Sequence, residues 1–124
     1  MSLGMPWGWA LLLVAVGGGA GAVLRHLVVR SSGAAVGLLV VNVLGAAALG
    51  ALSAAAAEVP GWAVLILGVG LCAAMTTWSS LAVHVAEVGR ASLGRAAAYL
   101  AVSVVLGVGA AVLTHLVVAW LLRV

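Results

Sequence analysis

The chain has 124 residues, of which 67% are hydrophobic and 6% are charged, whereas about a quarter of the residues of an ordinary soluble domain are charged. Its net charge of +3 comes from scattered arginines that form no basic stripe, so we expect no nucleic-acid partner. The sequence also leaves no room for an aqueous catalytic domain and contains no nucleophile–base pair or metal-ligand spacing, so it predicts that the protein is not an enzyme.

The few charged side chains divide the sequence into four uncharged intervals of 24, 27, 28 and 27 residues, namely 1–24, 31–57, 59–86 and 96–122. A helix needs about 20 apolar residues to cross the roughly 30 Å hydrocarbon core of a bilayer. We therefore predict an all-α, four-span transmembrane bundle that forms a single integral membrane domain over residues 1–124. The predicted spans are approximately 6–29, 34–57, 62–86 and 96–122.

The first two spans are rich in small residues. The run 17–22 of the first span has almost no side chains, and small residues recur at helical spacing in the second. In lipid, such surfaces let a second backbone approach closely. Asn42 is the single amide of the second span, and a buried amide in lipid must find hydrogen-bond partners. The sequence leaves open whether Asn42 joins two helices or serves a ligand.

The third span is the unusual one. Its centre contains Gly68 and Gly70, followed by the polar run Thr76–Ser80. Hydroxyl side chains can satisfy backbone groups that a helix break sets free, and broken helices inside membranes usually line a site for an ion or a substrate. We therefore predict a broken third helix with a site at the break.

The fourth span carries Tyr99 and Ser103, which are four residues apart and so share one helix face. These hydroxyls, the Asn42 amide and the residues of the third span donate hydrogen bonds without carrying a fixed charge. A small hydrated anion needs such donors to replace its water, and a full positive charge would hold it too tightly to leave. The residues alone thus predict a narrow membrane path or site for a small polar or anionic species.

The arginines are distributed unequally between the two ends of the predicted spans. Arg25, Arg30, Arg90 and Arg95 fall on one side and Arg123 on the other. The positive-inside rule then predicts that both termini lie outside.

Four segments, in order along the chain, resemble the Fluc (CrcB) family of small fluoride channels. Gly18–Arg25 is similar to the glycine-rich first-span signature of the family, which ends in arginine. Gly37–Gly45 resembles G-T-L-x-V-N-x-x-G, and Gly70–Leu81 resembles G-x-C-G-G-x-T-T-F-S-T-F, the most specific of these motifs. Tyr99 and Ser103 match a polar track in the fourth span.

The resemblance implies a channel that exports fluoride passively across a bacterial-type cytoplasmic (plasma) membrane and relieves fluoride toxicity. It also implies an antiparallel dimer with two fluoride pores and one structural sodium ion. The implied pore residues are Asn42, Thr77, Trp78, Ser80, Leu81, Tyr99 and Ser103. The backbone carbonyls of Ala73 and Thr76 would hold sodium, and Arg25 would have a structural or vestibule role.

The chain departs from the family pattern at several positions. It contains no phenylalanine, so Trp78 and Leu81 stand where the family has two pore phenylalanines; Ala73 and Ala74 replace a glycine pair, and Gly107 stands where a third track hydroxyl is common.

Two alternative functions stay open at this stage. The first is a non-conducting or partly conducting partner subunit of a heterodimeric fluoride channel, because an arginine bias of four to one should commit most copies to one orientation. The dimer partner is therefore either a second copy or a paralogous subunit. The second alternative is a small proton-coupled multidrug-type exporter, which requires a carboxylate deep in the first span, where the sequence has none.

Overall fold

The computed structural model describes residues 6–124, and this part of the chain is almost entirely helical. Its elements are α1 (Trp7–Ser32), α2 (Ala34–Ala54), α3 (Gly61–Ala63), a π-helical segment (Val64–Cys72), α4 (Ala73–Met75), α5 (Trp78–Ala91) and α6 (Leu93–Leu121). Four stretches are long and apolar enough to cross a membrane: Trp7–Ser32, Ala34–Ala54, Gly61–Ala91 and Leu93–Leu121. The predicted all-α bundle with four spans and a broken third helix is thereby confirmed.

The helices begin and end at positions different from those expected. α1 continues to Ser32, and the turn expected at 30–33 is reduced to Gly33, whose φ of 80° suits glycine. α2 ends at Ala54, three residues earlier than expected, and the third span continues to Ala91. The expected boundaries followed the charged residues, whereas charged side chains at helix ends can reach the membrane interface without ending the helix.

Glycines let α1 and the π-helical segment approach each other closely. Gly17 and Gly21 of α1 are buried, and a Cβ at either position would overlap a backbone carbonyl oxygen of the opposite segment, that of Ile66 or that of Leu71. Gly70 lies against the Cα of Gly17 in the same way. The expected close approach of a second backbone therefore occurs, and the third span supplies that backbone.

The most extensive helix pair is α2 with α6. Gly50 lets the two backbones meet at Ala111, and the Thr114 hydroxyl donates to the carbonyl of Ala47 at 2.7 Å. Toward the other end, the Tyr99 hydroxyl donates to the carbonyl of Ala35 at 2.6 Å. Small residues and hydroxyl donors thus bind these helices together in lipid, where burial of apolar surface adds little.

Large apolar side chains mostly face outward. Within the described part of the chain, buried apolar residues are few: Leu38, Val41, Ala63, Cys72, Leu81 and Ala96. Tryptophans near the span ends are also exposed, as an interfacial position predicts, with Trp7 at 85% and Trp120 at 64%. Apolar side chains that face outward, with few of them buried, are the reverse of the arrangement in a soluble protein and are typical of a multi-pass membrane protein.

Candidate functional site

The third span is interrupted at two residues in its middle. Thr76 (φ −77°, ψ 146°) and Thr77 (φ −149°, ψ 112°) are extended, so the helix stops at Met75 and restarts at Trp78. An extended pair at this depth frees backbone groups that water cannot reach, and these groups need partners from the protein.

Asn42 of α2 supplies the main partner. Its Oδ1 accepts from the backbone N–H of Thr77 at 2.7 Å, and its Nδ2 donates to the Thr77 carbonyl at 3.4 Å. The amide therefore joins α2 to the break, as the helix-joining interpretation predicts. An amide nitrogen carries two N–H donors, and the Thr77 carbonyl takes one of them. The other N–H is available for a ligand.

Thr77 caps the second half of the span. Its buried hydroxyl accepts from the backbone N–H of Ser80 at 3.2 Å, as an N-cap residue does at a helix start. The same oxygen lies 3.3 Å from the Ser79 hydroxyl and 3.1 Å from the Ser80 hydroxyl. Three hydroxyls thus form one cluster at the N-terminus of α5.

A cavity of about 320 Å³ lies beside the break, and we refer to it as the central cavity. Its lining includes Asn42, Ala46, Thr76, Thr77, Trp78, Leu81, Ser103, Val104, Gly107 and Val108. Five of the seven expected pore residues meet there. The other two, Ser80 and Tyr99, lie outside its lining. Leu81 and Ser103 are 4% exposed, whereas Trp78 is 67% exposed.

A second cavity of about 480 Å³, the mouth cavity, opens toward the arginine-rich end. Its polar lining consists of Arg25, His26, Ser79, Ser80, His84 and Glu87. Thr77 lines the central cavity and its hydroxyl contacts Ser79 and Ser80, which line the mouth cavity. The hydroxyl cluster therefore lies between the two cavities.

Tyr99 and Ser103 donate to backbone carbonyls. The Tyr99 hydroxyl donates to Ala35, as noted above, and the Ser103 hydroxyl donates to the Tyr99 carbonyl at 2.8 Å. A hydroxyl has a single hydrogen, so neither side chain offers a donor to a ligand unless that hydrogen turns away from its carbonyl.

The carbonyls of Ala73 and Thr76 have the character that a hard cation requires. In a continuous helix the Thr77 N–H would bond the Ala73 carbonyl, but here it bonds Asn42. The carbonyl oxygen of Ala73 instead accepts a long hydrogen bond of 3.4 Å from the Thr76 hydroxyl. Within residues 6–124, no backbone N–H at the break donates to the Thr76 carbonyl. Backbone carbonyl oxygens that lack a helical partner suit a hard cation, so these residues fit the sodium that the family implies.

The sequence interpretation missed part of the mouth. His84 and Glu87 were absent from the expected site, although they follow the expected Ser80 at spacings of four and three and so share one face of α5 with it, a signal that the sequence contains. Ser79 was also absent from the expected site. At the opposite end, the Ser53 hydroxyl lies 2.8 Å from His115 Nδ1 and links α2 to α6. The sequence gives no indication of that pair, because 62 residues separate its members.

Comparison with known proteins extends these observations. A protein of Halobacterium salinarum named fluoride-specific ion channel FluC 1 is 43% identical over 114 residues, which are 90% of this chain and 91% of that protein. A second protein of the same organism, FluC 2, is 44% identical over 60% of this chain and 61% of its own length. The fluoride-specific ion channel FluC of Rhodospirillum centenum is 40% identical over 80% of this chain and 86% of that protein.

The family match covers most of the chain. Residues 12–115 match the family described as CrcB-like protein, Camphor Resistance (CrcB), and this range includes the second and third spans, most of the first and fourth spans, and the lining of both cavities. Together with the four apolar helices, the match identifies a multi-pass protein of the plasma membrane. The chain belongs to the CrcB family.

Proposed function

We propose that this chain forms a fluoride channel that lets the ion leave the cell passively across the plasma membrane. The observation that carries the proposal is the hydroxyl cluster of Thr77, Ser79 and Ser80, which lies between two cavities at the helix break. Asn42 adds an N–H donor beside it. The names of the relatives, which are fluoride-specific ion channels, support the same substrate.

The chemistry of the lining suits a small, strongly hydrated anion. The charged side chains of the mouth cavity are Arg25 and Glu87, and the guanidinium of Arg25 attracts anions, whereas the donors deeper in the path are neutral amide and hydroxyl groups. Neutral donors replace the water around the ion and still release it. An exporter coupled to protons needs an acidic residue deep in the membrane, and α1 has none along Trp7–Ser32.

Ser103 and Tyr99 act in this proposal by turning their hydroxyl hydrogens. The Ser103 oxygen lines the central cavity, and rotation about its C–O bond redirects the hydrogen from the Tyr99 carbonyl to an ion. The Tyr99 hydroxyl bond to Ala35 holds α6 against α2, so the ring has a positioning role as well.

A second subunit completes the pathway in this proposal, as an antiparallel dimer. Support comes from surfaces that one chain leaves uncovered. Trp78 is 67% exposed in the middle of its span although it lines the central cavity. Gly18 and Gly19 have no atom within 4 Å of a Cβ built on them, so a second backbone has room to approach. An aromatic edge at Trp78 is electropositive and can face an anion.

A sodium ion held by the carbonyls of Ala73 and Thr76 is the cofactor that we propose. Its role is structural, because it would coordinate carbonyl oxygens that the break deprives of helical partners. Thr76 and Ala73 supply main-chain atoms, so their side chains contribute little to the binding.

Growth in fluoride tests the function in cells. A bacterial strain without a fluoride exporter of its own should grow in millimolar fluoride when it expresses this chain, and should fail when it expresses Asn42→Leu at an equal membrane level. Equal fluoride sensitivity of cells with and without the wild-type chain would refute the proposal.

A further inference from the structure

A groove of about 470 Å³ runs between α2 and α6, and we refer to it as the outer groove. Its lining consists of Leu49, Gly50, Ser53, Ala111, Val112, His115 and Leu116. The two helices run in the same direction, so Ser53 and His115 both lie toward the C-terminal ends of their helices, whereas Leu49 and Val112 lie deeper. The groove is therefore polar near the surface of the membrane and apolar below it.

The hydrogen bonds of Ser53 determine which nitrogen of His115 carries a hydrogen. The Ser53 Oγ is 2.7 Å from the carbonyl oxygen of Gly50 and 2.8 Å from His115 Nδ1. Two oxygens at 2.7 Å need a hydrogen between them, and a carbonyl has none, so the single hydroxyl hydrogen points at Gly50. The hydrogen of the second bond must then come from Nδ1. In the neutral ring, Nε2 is consequently left with a lone pair that accepts a hydrogen bond.

The outer groove is open to the bilayer. Ser53 and His115 are exposed, and so are Val112 at 52% and Leu116 at 60%. Among the side-chain hydrogen bonds of residues 6–124, His115 takes part in the one with Ser53 alone. The exposed Trp120 follows His115 by about one and a half turns and marks the interface, where lipid headgroups begin. An occupant of the groove must therefore donate a hydrogen bond at the interface and place apolar chains below it.

We propose that the outer groove is a binding site for phosphatidylethanolamine, a phospholipid whose headgroup carries a primary ammonium. An ammonium N–H donates to Nε2 of His115, and an acyl chain lies along Leu49 and Val112. Phosphatidylcholine has the same glycerol backbone and chains, but its nitrogen is trimethylated and has no N–H to donate. Because hydrogen bonds from a charged donor are the stronger kind, we expect the site to favour phosphatidylethanolamine over phosphatidylcholine about tenfold.

The comparison of lipids tests the site without any mutation. The protein is placed in nanodiscs that contain equal parts of phosphatidylethanolamine and phosphatidylcholine at pH 8, where imidazole is ordinarily neutral, and retained lipid is counted by native mass spectrometry. About ten molecules of phosphatidylethanolamine should be retained for each phosphatidylcholine. N,N-dimethyl-phosphatidylethanolamine keeps one N–H and should also be preferred to phosphatidylcholine. Equal retention of all three lipids, which water on Nε2 would give, would overturn the inference.

Three variants locate the preference in the outer groove. His115→Phe keeps a ring but has no acceptor, so it should retain the two natural lipids equally. Ser53→Ala keeps the imidazole but frees its Nδ1, so the preference should fall only in part. His26→Phe makes the same replacement on α1, at the opposite end of the bundle, and should retain the wild-type preference. An unchanged preference in His115→Phe would show that the lipid is selected elsewhere.

A second copy of the chain is the other possible occupant of the outer groove. Leu116→Trp fills the groove, so it should lose the retained lipid and keep whatever self-association the wild type has. Loss of self-association in this variant would place a second copy in the groove and overturn the lipid site. None of these measurements uses fluoride flux, so the lipid site and the proposed channel are tested separately.

Discussion

At the scale of single residues, Asn42 and Thr77 determine the local structure at the break. Asn42 bonds both the N–H and the C=O of Thr77, and Thr77 in turn caps α5. Each residue therefore stabilises the break and also lines the central cavity. From the sequence, Asn42 could either join two helices or bind a ligand. The geometry is compatible with both roles at once.

Replacing Asn42 with leucine should stop transport. The variant leaves the Thr77 N–H without its partner, which costs about 1–3 kcal/mol of stability, and removes the spare donor from the central cavity. We expect fluoride flux to fall at least about tenfold, the equivalent of roughly 1.4 kcal/mol. Leu44→Ala, on the same helix but 56% exposed, is the matched control and should conduct like the wild type. Normal flux from Asn42→Leu would remove Asn42 from the pathway.

Thr77 gives a sharper pair of variants. Thr77→Ser keeps the hydroxyl that caps α5 and contacts Ser79 and Ser80, so it should retain most of the flux. Thr77→Val has nearly the same shape but no hydroxyl, and the lost cap should lower the unfolding free energy by about 1 kcal/mol. The fluoride flux of Thr77→Val should fall as well. If Thr77→Val conducts as fast as Thr77→Ser, the hydroxyl cluster is not part of the path.

At the scale of elements, α1 and the π-helical segment of the third span are in close contact. Backbone meets backbone along Gly17, Gly21 and Gly70, so no side chain separates the two elements. The other glycines of the same run, Gly18 and Gly19, face open space. One short stretch of sequence thus contains both packed and unpacked glycines.

This division predicts a clear contrast between two alanine substitutions. Gly21→Ala forces a methyl group against the Leu71 carbonyl and should destabilise the protein by about 1–3 kcal/mol, with a lower melting temperature in detergent. Gly8→Ala, in the same helix but outside the glycine run, has no atom to meet within 4 Å and should melt at or above the wild-type temperature, since alanine favours helix more than glycine does. Equal melting temperatures would contradict the packing described here.

The sequence predicted most of the elements and part of the site. Four apolar intervals predicted four spans because hydrophobic length is a property of the sequence itself. The π-helical form of Val64–Cys72 was not foreseen, and this segment packs closely against α1, a long-range contact that local sequence patterns do not show. Likewise, the mouth residues His84 and Glu87 were missed. Their chemistry depends on Arg25 and Tyr99, which other helices bring close.

At the scale of the whole molecule, one chain leaves the pathway partly open. The central cavity is bounded on one side by Trp78, whose ring is largely exposed. The proposed dimer would cover this surface, and the proposed sodium ion would lie at the break in the third span. Both are properties of an assembly, and each has a direct test.

Removal of sodium should weaken the assembly. Exchange of sodium for a large organic cation leaves the carbonyls of Ala73 and Thr76 without a ligand, so we expect a lower melting temperature and slower flux. Thr76→Ser keeps the main chain and should behave like the wild type in sodium. Stability and flux that are both unaffected by the exchange would refute the sodium site.

The orientation of the termini tests the composition of the dimer. The four-to-one arginine bias predicts one dominant orientation, so that an antiparallel dimer would need a partner with the opposite bias. Labelling the termini from each side of the membrane, with this chain expressed alone, should label one side. Labelling on both sides, with full fluoride flux, would indicate a homodimer.

Fluoride efflux from liposomes tests the central claim most directly. Vesicles that contain the protein are loaded with fluoride, held at equal pH inside and outside, and given a membrane potential with a potassium ionophore. The account predicts rapid release of fluoride driven by voltage alone, with no matching release of chloride. Absence of fluoride release with this chain, alone or with a paralogous subunit, or release only in the presence of a proton gradient, would contradict a passive fluoride channel.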